Sequence, residues 1–259
     1  MLHSLLANIW RTIAGNAVAK APPAAANDGV ALQSALRAAL ASLLREPLTP
    51  PNTVDYAMMA HLMAAASSAE YMMNNMMSAR NLMHRIDLLD FALGECTIEG
   101  LVMEFGVYRG KSLRDIAMSV DHEVHGFDSF EGLPEDWTYF QKQGRFSLQG
   151  EVPYFDAPNI RIHKGRFDQT LLQFLTRYPG PARFIHVDCD IYTSTRTVLQ
   201  LLATRIVSGT VILFDEYLNY PAWQQHEFRA FQEFVAQAGK NYRYIGFASS
   251  DCAVAVRIL

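Results

Sequence analysis

The sequence has few cysteines, no excess of basic residues and no long apolar run, and each absence excludes a class of protein. The 259 residues include only three cysteines, widely spaced and without a Cys-x-x-Cys pair, so we expect neither a disulfide framework nor a cysteine-based zinc site. With 22 Lys+Arg against 26 Asp+Glu, the net charge of −4 argues against a nucleic-acid partner. The longest apolar stretches, such as 207–214, are too short to cross a bilayer. We therefore expect a cytoplasmic protein without a nucleic-acid or membrane partner.

The N-terminal third of the chain shows helical patterns and no strands. Residues 1–28 have no acid before Asp28 and end in an Ala/Pro-rich stretch, which predicts a flexible segment. A cleaved signal peptide is disfavoured, because polar residues interrupt the apolar start. Over 29–98 the apolar spacing predicts a helical region, with helices near 30–45, 54–65 and 68–93.

Methionines are concentrated in the last two of these helices. The pairs Met72/Met73 and Met76/Met77 repeat every four residues, so the pattern predicts that they share one helix face. Such a face either packs internally or forms an adaptable wall over a ligand pocket, since thioethers fit irregular shapes.

Residues 99–259 alternate between short apolar runs and helical patterns. This alternation predicts a doubly wound α/β fold with a mainly parallel sheet. The last two strands have no helix between them, which predicts an antiparallel hairpin at one edge. The seven predicted strands are 101–105, 124–127, 160–163, 184–187, 210–214, 244–247 and 253–258. Ligands of such sheets bind beyond the carboxyl ends of the strands, so the residues that follow each strand are the candidate site.

The first strand ends in a glycine-containing turn, Glu104-Phe-Gly-Val-Tyr-Arg-Gly110. Gly106 and Gly110 allow the backbone to turn tightly and approach a ligand. The second strand ends at Asp128, where an acid can accept both hydroxyls of a ribose. Because the Gly-x-Gly-x-x-Gly loop of dinucleotide folds is absent, the pattern favours S-adenosylmethionine over NAD as an adenosyl ligand.

Acidic residues follow two later strands. Asp188 closes the strand 184–187, and Asp215 and Glu216 close the strand 210–214. If these strands are neighbours, the three carboxylates meet at the sheet edge, where mutual repulsion requires a cation. An all-oxygen ligand set suits Mg²⁺ or another hard divalent cation. His186, inside its strand, is interpreted as a core histidine.

Several motifs resemble those of the macrocin O-methyltransferase-like family, over roughly residues 101–259. The resemblance rests on Phe105-Gly-Val-Tyr-Arg-Gly-Lys-Ser112, Gly126-Phe-Asp-Ser-Phe-Glu-Gly-Leu-Pro134, Lys164-Gly-Arg-Phe167 and His186-Val-Asp-Cys-Asp-Ile-Tyr-Thr-Ser-Thr195. It implies a Rossmann-like, S-adenosylmethionine- and Mg²⁺-dependent O-methyltransferase domain over 99–259, with 29–98 acting as a helical lid region. The implied acceptor is a small hydroxylated molecule, either a sugar or another natural product, and a homo-oligomer is compatible with this assignment.

The resemblance also assigns roles to individual residues. The methionine and ribose side of the cofactor would be lined by Glu104, Phe105, Gly106, Tyr108, Gly110 and Ser112, with Asp128 on the ribose, Ser129 and Phe130 at the adenine, and Gly165, Arg166 and Phe167 closing the adenine pocket. Asp188 would contact the cofactor, ligate the metal and act as general base, and Asp215 and Glu216 would complete the metal site. The family more often has Asp at the position of Glu216, so the longer side chain here shifts the carboxylate by one methylene.

Three other functions are weighed against this one. An NAD-linked enzyme would need the phosphate-binding loop that is absent. A non-catalytic adenosyl-binding protein would be expected to lose the carboxylate cluster, which this chain keeps. Methyl transfer to a protein or nucleic acid fits poorly with the net charge of −4.

Overall fold

A computed structural model describes residues 55–259. The predicted flexible segment 1–28 and the predicted helix 30–45 lie outside the described residues. Contacts divide the chain into two compact units, residues 1–59 and 60–259. The elements below belong to the second unit, apart from the first turn of helix α1.

The described residues alternate between helices and strands. In chain order the elements are α1 (Tyr56–Asn75), β1 (Arg80–Leu82), α2 (Arg85–Gly94), β2 (Leu101–Phe105), α3 (Lys111–Ser119), β3 (Val124–Asp128), β4 (Ile160–Lys164), α4 (Phe167–Arg177), β5 (Ala182–Val187), α5 (Tyr192–Leu201), β6 (Val211–Phe214), a 3₁₀ turn (Trp223–Gln225), α6 (Glu227–Ala238), β7 (Tyr242–Ala248) and β8 (Val254–Ile258).

All the described strands form one sheet, in the order β1-β7-β8-β6-β5-β2-β3-β4. The pairs from β6 through β4 are parallel, whereas β8 is antiparallel to both β6 and β7. This confirms the α/β class and the antiparallel C-terminal pair. The sheet has eight strands in this part of the chain, one more than the sequence predicts, because β1 pairs in parallel with β7. The C-terminal hairpin therefore does not form the sheet edge.

The helix predicted at 68–93 is wrong in its extent. Helix α1 continues from Tyr56 to Asn75, and the chain then forms β1 before α2 begins. The methionine repeat therefore does not lie on one helix: Met76 follows the end of α1 and is buried, while Met77 is 75% exposed. Residues Arg80–Leu82 form a strand here because they pair with β7. These three residues have no apolar pattern that would predict the pairing.

The core lies on both faces of the central strands. On one face, Phe105 stacks on Phe127 at a centroid distance of 4.7 Å, and Phe174 of α4 packs edge-on against Phe127. On the other face, α2 packs against β6, β7 and β8 through side chains such as Leu88, and α3 packs against β3 and β4 through side chains such as Leu113. Among residues 55–259, no helix is both long and apolar enough to cross a membrane.

Candidate active site

A cavity of about 990 Å³ opens at the carboxyl ends of the parallel strands. Its wall is formed by the residues that follow β2, β3, β4, β5 and β6, as expected for a doubly wound sheet. The predicted site residues that line it are Gly106, Tyr108, Asp128, Ser129, Gly165, Arg166, Phe167, Asp188, Asp215 and Glu216.

Gly106 allows two strand ends to approach closely. Its φ is +92°, and a Cβ atom at this position would lie 1.6 Å from the carbonyl oxygen of Asp188. The backbone N–H of Asp188 donates to the carbonyl of Phe105 at 2.8 Å, which fixes the end of β5 against β2. Only glycine fits this turn, and its position brings the β2–α3 loop beside Asp188.

Asp128 holds the same loop from the other side. Its Oδ2 accepts hydrogen bonds from the backbone N–H groups of Val107 and Tyr108, both at 2.8 Å. Its Oδ1 accepts one from the N–H of Phe130 at 2.7 Å. The carboxylate at the end of β3 therefore fixes the glycine turn in addition to lining the cavity.

The remaining predicted cofactor residues lie behind the cavity wall. Phe105 and Phe130 are fully buried, and Gly110 packs against the ring of Phe155. Ser112 Oγ donates to Glu104 Oε1 at 2.9 Å, which joins the start of α3 to β2.

Glu104, His186 and Asp215 form a buried charged network, with His186 between the two carboxylates. Glu104 Oε2 lies 3.5 Å from His186 Nδ1, and His186 Nε2 lies 3.7 Å from Asp215 Oδ1. Burial opposes protonation of the ring, yet Asp215 and Glu104 raise the pKa of His186 well above its ordinary value. Burial raises the pKa of Glu104, against the effect of the histidine. The core position predicted for His186 agrees with its burial, and its two carboxylate neighbours connect it to the site.

Asp188, Asp215 and Glu216 come together at the ends of β5 and β6. One carboxylate oxygen from each lies within 4.8 Å of the others. This is the cluster that the sequence predicts, and it requires β5 and β6 to be neighbours, which they are. Glu216 Oε2 is buried and has no hydrogen-bond partner among residues 55–259.

The clustered acids shift one another's protonation. Burial and then the charge of Asp215 raise the pKa values of Asp188 and Glu216 well above the ordinary range. Burial alone would raise the pKa of Asp215 as well, but His186 and Arg85 hold it below its usual value. Asp215 is therefore the acid of this cluster that stays ionised most readily.

Three further residues complete the charged site, and the sequence reasoning missed them. Asp190 is buried beside the cavity, and burial and Asp215 raise its pKa to about 7. Glu227, fully buried at the start of α6, accepts a hydrogen bond from the backbone N–H of Glu216 at 3.2 Å. Arg85, the first residue of α2, forms an ion pair with Asp215. Of the three, only Asp190 had a sequence signal, since it follows the same strand as Asp188.

Comparison with known protein families finds one match in this region. A family model described as a methyltransferase domain matches residues 103–217. The matched segment begins within β2 and ends one residue after Glu216, so it contains the glycine turn, Asp128 and the carboxylate cluster.

Two solved structures have a similar fold. The calicheamicin methyltransferase CalS11 is 18% identical, with a TM-score of 0.53, and the alignment covers 91% of this chain and 94% of that one. The O-methyltransferase NovP is 22% identical, with a TM-score of 0.53, over 67% of this chain and 78% of its own. At these identities the similarity establishes the fold. No curated protein sequence matches the chain.

Proposed function

We propose that this protein is a methyltransferase that transfers the methyl group of S-adenosylmethionine to a hydroxyl of a small molecule, either a sugar or another natural product. The observation that carries this proposal is the convergence of Asp188, Asp215 and Glu216 on the wall of a cavity that the glycine turn and Asp128 also line. A hydroxyl is a weak nucleophile and must lose its proton to react efficiently. A cluster of acids can promote this by binding a cation and by accepting the proton. The matching family model and the fold shared with NovP, an O-methyltransferase, support this choice.

The cofactor would occupy the side of the cavity formed by β2, β3 and β4. Asp128 would accept the ribose hydroxyls, while Ser129 and the loop Gly165–Phe167 would enclose the adenine. Gly165 is joined to β3 by its backbone N–H, which donates to the carbonyl of Asp128 at 2.9 Å. S-Adenosylmethionine, when bound, supplies an electrophilic methyl group on its sulfonium.

The carboxylate cluster fits a hard divalent cation such as Mg²⁺. Its donors are all oxygens, which Mg²⁺ prefers, and the unpartnered, buried Glu216 Oε2 has the longer reach that glutamate provides. Asp188, Asp215 and Glu216 would hold the ion. Such an ion lowers the pKa of a nearby hydroxyl and neutralises the negative charge that develops on it.

Asp188 is the proposed general base. It lies on the cavity wall next to the Gly106 turn, so it is close to both the cofactor side and the cation side of the site. Without a cation, burial and the charge of Asp215 raise its pKa above that of an ordinary aspartate. The turn around Gly106, which the contact with Asp188 fixes, would help to align the methyl donor with the acceptor hydroxyl.

The acceptor would enter beneath the long segment between β3 and β4. Glu135 of this segment accepts a hydrogen bond from Thr193 Oγ1 at 2.6 Å, and Trp137 packs edge-on against Tyr220 at 5.5 Å. The segment is therefore fixed to α5 and to the loop after β6. Tyr139, Phe140 and Tyr154 of this segment are exposed and do not line the cavity, whereas Leu133, Pro134 and Phe146 do.

Calorimetric titration of the chelator-treated protein with S-adenosylhomocysteine, and then with Mg²⁺, tests this proposal. We expect about micromolar nucleoside binding, and a separate Mg²⁺ isotherm that is lost in Asp188→Asn. Absence of nucleoside binding would overturn the methyl-donor assignment. Nucleoside binding without a Mg²⁺ isotherm, and without turnover on hydroxylated acceptors, would instead indicate a non-catalytic adenosyl-binding protein.

A further inference from the structure

Arg85 is held at the cavity by the edge of the sheet. The backbone N–H groups of Ser249 and Ser250 donate to the carbonyls of Leu82 and Met83, at 2.7 and 3.1 Å. The backbone N–H of Arg85 donates to Asp251 Oδ2 at 3.4 Å. The short β1 strand is thereby tied to the turn between β7 and β8, and Arg85 begins α2 at the carboxyl edge of the sheet.

The guanidinium of Arg85 lies on the carboxylate cluster. Its Nη1 forms an ion pair with Asp215 Oδ2, and its Nε lies 4.0 Å from Asp251 Oδ2. The Arg85 side chain is 57% exposed, whereas that of Asp215 is 5% exposed. The arginine can therefore leave the carboxylate by moving into solvent, while Asp215 cannot move without disturbing the buried end of β6.

Asp215 would therefore have to interact with two different positive charges. As one of the three carboxylates, it would ligate the divalent cation of the proposed function, on which this inference rests. Its Oδ2 already receives the guanidinium, and its Oδ1 faces His186 Nε2 at 3.7 Å. A positive side chain at contact distance from a ligand oxygen disfavours a second cation at that oxygen.

We propose that Arg85 competes with the divalent cation for Asp215 and thereby sets the affinity of the site for that cation. Without the ion, Arg85 neutralises the most readily ionised acid of the cluster. When the ion binds, the guanidinium moves away from Asp215 Oδ2 and keeps its second partner, Asp251. The arginine is a positioning residue of the cation site, and it takes no part in methyl transfer itself.

Binding of Mn²⁺ alone to the full-length, chelator-treated chain, followed by the paramagnetic resonance signal of the free ion, tests the competition. We expect Arg85→Gln to lower the Mn²⁺ dissociation constant about three- to tenfold, a range that allows for solvent screening of an exposed arginine. Arg85→Lys keeps the charge and should bind Mn²⁺ like the unmodified protein. Arg243→Gln removes an equal charge from an exposed position near the amino end of β7, and it should also leave binding unchanged.

Thermal melting provides a second readout that does not depend on activity. With EDTA, Arg85→Gln should melt below the unmodified protein, because Asp215 loses its counter-ion. With saturating Mn²⁺ the variant should gain more than the unmodified protein does.

Unchanged or weaker Mn²⁺ binding in Arg85→Gln would overturn the competition. So would an equal tightening in Arg85→Lys, because the charge would then not be the cause. If none of the three proteins (unmodified, Arg85→Gln and Arg85→Lys) binds Mn²⁺, the metal site of the proposed function is itself wrong. Asp215→Asn, which lacks one proposed ligand, serves as the non-binding reference for that outcome.

Discussion

The neighbours of Asp188, the proposed general base, change the pKa of its carboxyl group. An isolated aspartate on a strand end is a poor base at neutral pH, because its pKa lies near 4. Here burial and the charge of Asp215 raise the pKa of Asp188, while Gly106 allows its backbone to contact the β2–α3 turn. The residue type was visible in the sequence, but the burial and the charge that change its chemistry come from the fold.

Replacement of Asp188 by asparagine is expected to separate catalysis from cofactor binding. Asparagine keeps the shape but cannot take a proton and also weakens the proposed cation site, so turnover should fall by about a hundredfold or more. Binding of S-adenosylhomocysteine should change little, since the glycine turn and Asp128 remain. Initial rates from labelled methyl transfer, compared with the exposed-site control Asp90→Asn, measure the effect; near-normal turnover would contradict the assignment of the base.

His125 gives a prediction at a residue far from any proposed catalytic role. Its ring is buried against Phe174 and Tyr178, and its Nδ1 lies 3.2 Å from His163 Nε2. Burial, and then His163, lower the pKa of His125 to about 4. Below about pH 6.5 the His125 ring is protonated in the unfolded chain but stays neutral in the folded protein. Folding stability is therefore lost as the pH falls from 6.5 towards 4.

His125→Phe should therefore flatten the acid side of the stability profile. Between pH 7.5 and pH 5 the unmodified protein should lose about 2 kcal/mol more unfolding free energy than the variant. Urea unfolding at several pH values measures this difference, with the exposed-site variant His84→Gln expected to behave like the unmodified protein. Equal pH slopes in His125→Phe and the unmodified protein would show that His125 is protonated in the fold.

At the level of elements, the β2–α3 turn connects sequence to site most directly. Gly106→Ala would place a methyl group 1.6 Å from the Asp188 carbonyl oxygen at a φ of +92°, so the backbone of β2 or β5 must shift. We expect a loss of about 3 kcal/mol or more in unfolding free energy, and loss of nucleoside binding in whatever protein remains folded.

Gly94→Ala is the matched control for this glycine. A Cβ atom on Gly94 would meet no atom within 4 Å, and the residue ends helix α2. Alanine should therefore stabilise the protein slightly, by about 0.5–1 kcal/mol. Denaturant unfolding of both variants provides the comparison, and similar effects of the two substitutions would contradict the close approach at Gly106.

The sequence predicted the elements whose hydrophobic pattern is complete within a few residues. The strands β2 to β6 each contain closely spaced apolar residues and are followed by turn or acidic residues, so both their existence and the site at their carboxyl ends could be predicted. Strand β1 could not, because Arg80-Asn81-Leu82 has no apolar run and is a strand only through its pairing with β7. Arg85 was missed for the same reason, since its contact with Asp215 depends on where β1 joins the sheet.

At the scale of the whole molecule, the acids at and behind the cavity come from three separate elements of the fold. Asp188 and Asp190 follow β5, Asp215 and Glu216 follow β6, and Glu227 begins α6. The sequence pattern predicted Asp188, Asp215 and Glu216 because they follow neighbouring strands. It did not predict Glu227, which reaches the site only because the chain folds back after the 3₁₀ turn. Their combined burial is a property of the fold, and its consequence is a dependence of stability on pH and on cations.

The metal-free protein should lose stability as the pH rises. Burial raises the pKa of Asp190 to about 7, and the pKa values of Asp188, Glu216 and Glu227 lie well above their ordinary range. The folded state therefore binds more protons than the unfolded chain from about pH 4 upwards, so the unfolding free energy falls as these acids are forced to ionise inside the fold. Asp215, with its lowered pKa, has the opposite effect only at acid pH.

A divalent cation should reverse this loss, because it binds the ionised form of the folded cluster and not the unfolded chain. We expect the melting temperature in EDTA to fall by several degrees between pH 6 and pH 8.5, and to fall much less with millimolar Mg²⁺. Asp190→Asn should reduce the slope in EDTA, since it removes an acid with a raised pKa. Parallel melting curves with and without Mg²⁺ would mean that the carboxylates stay protonated and bind no ion, and the cation site would then have to be abandoned together with the acid–base role built on it.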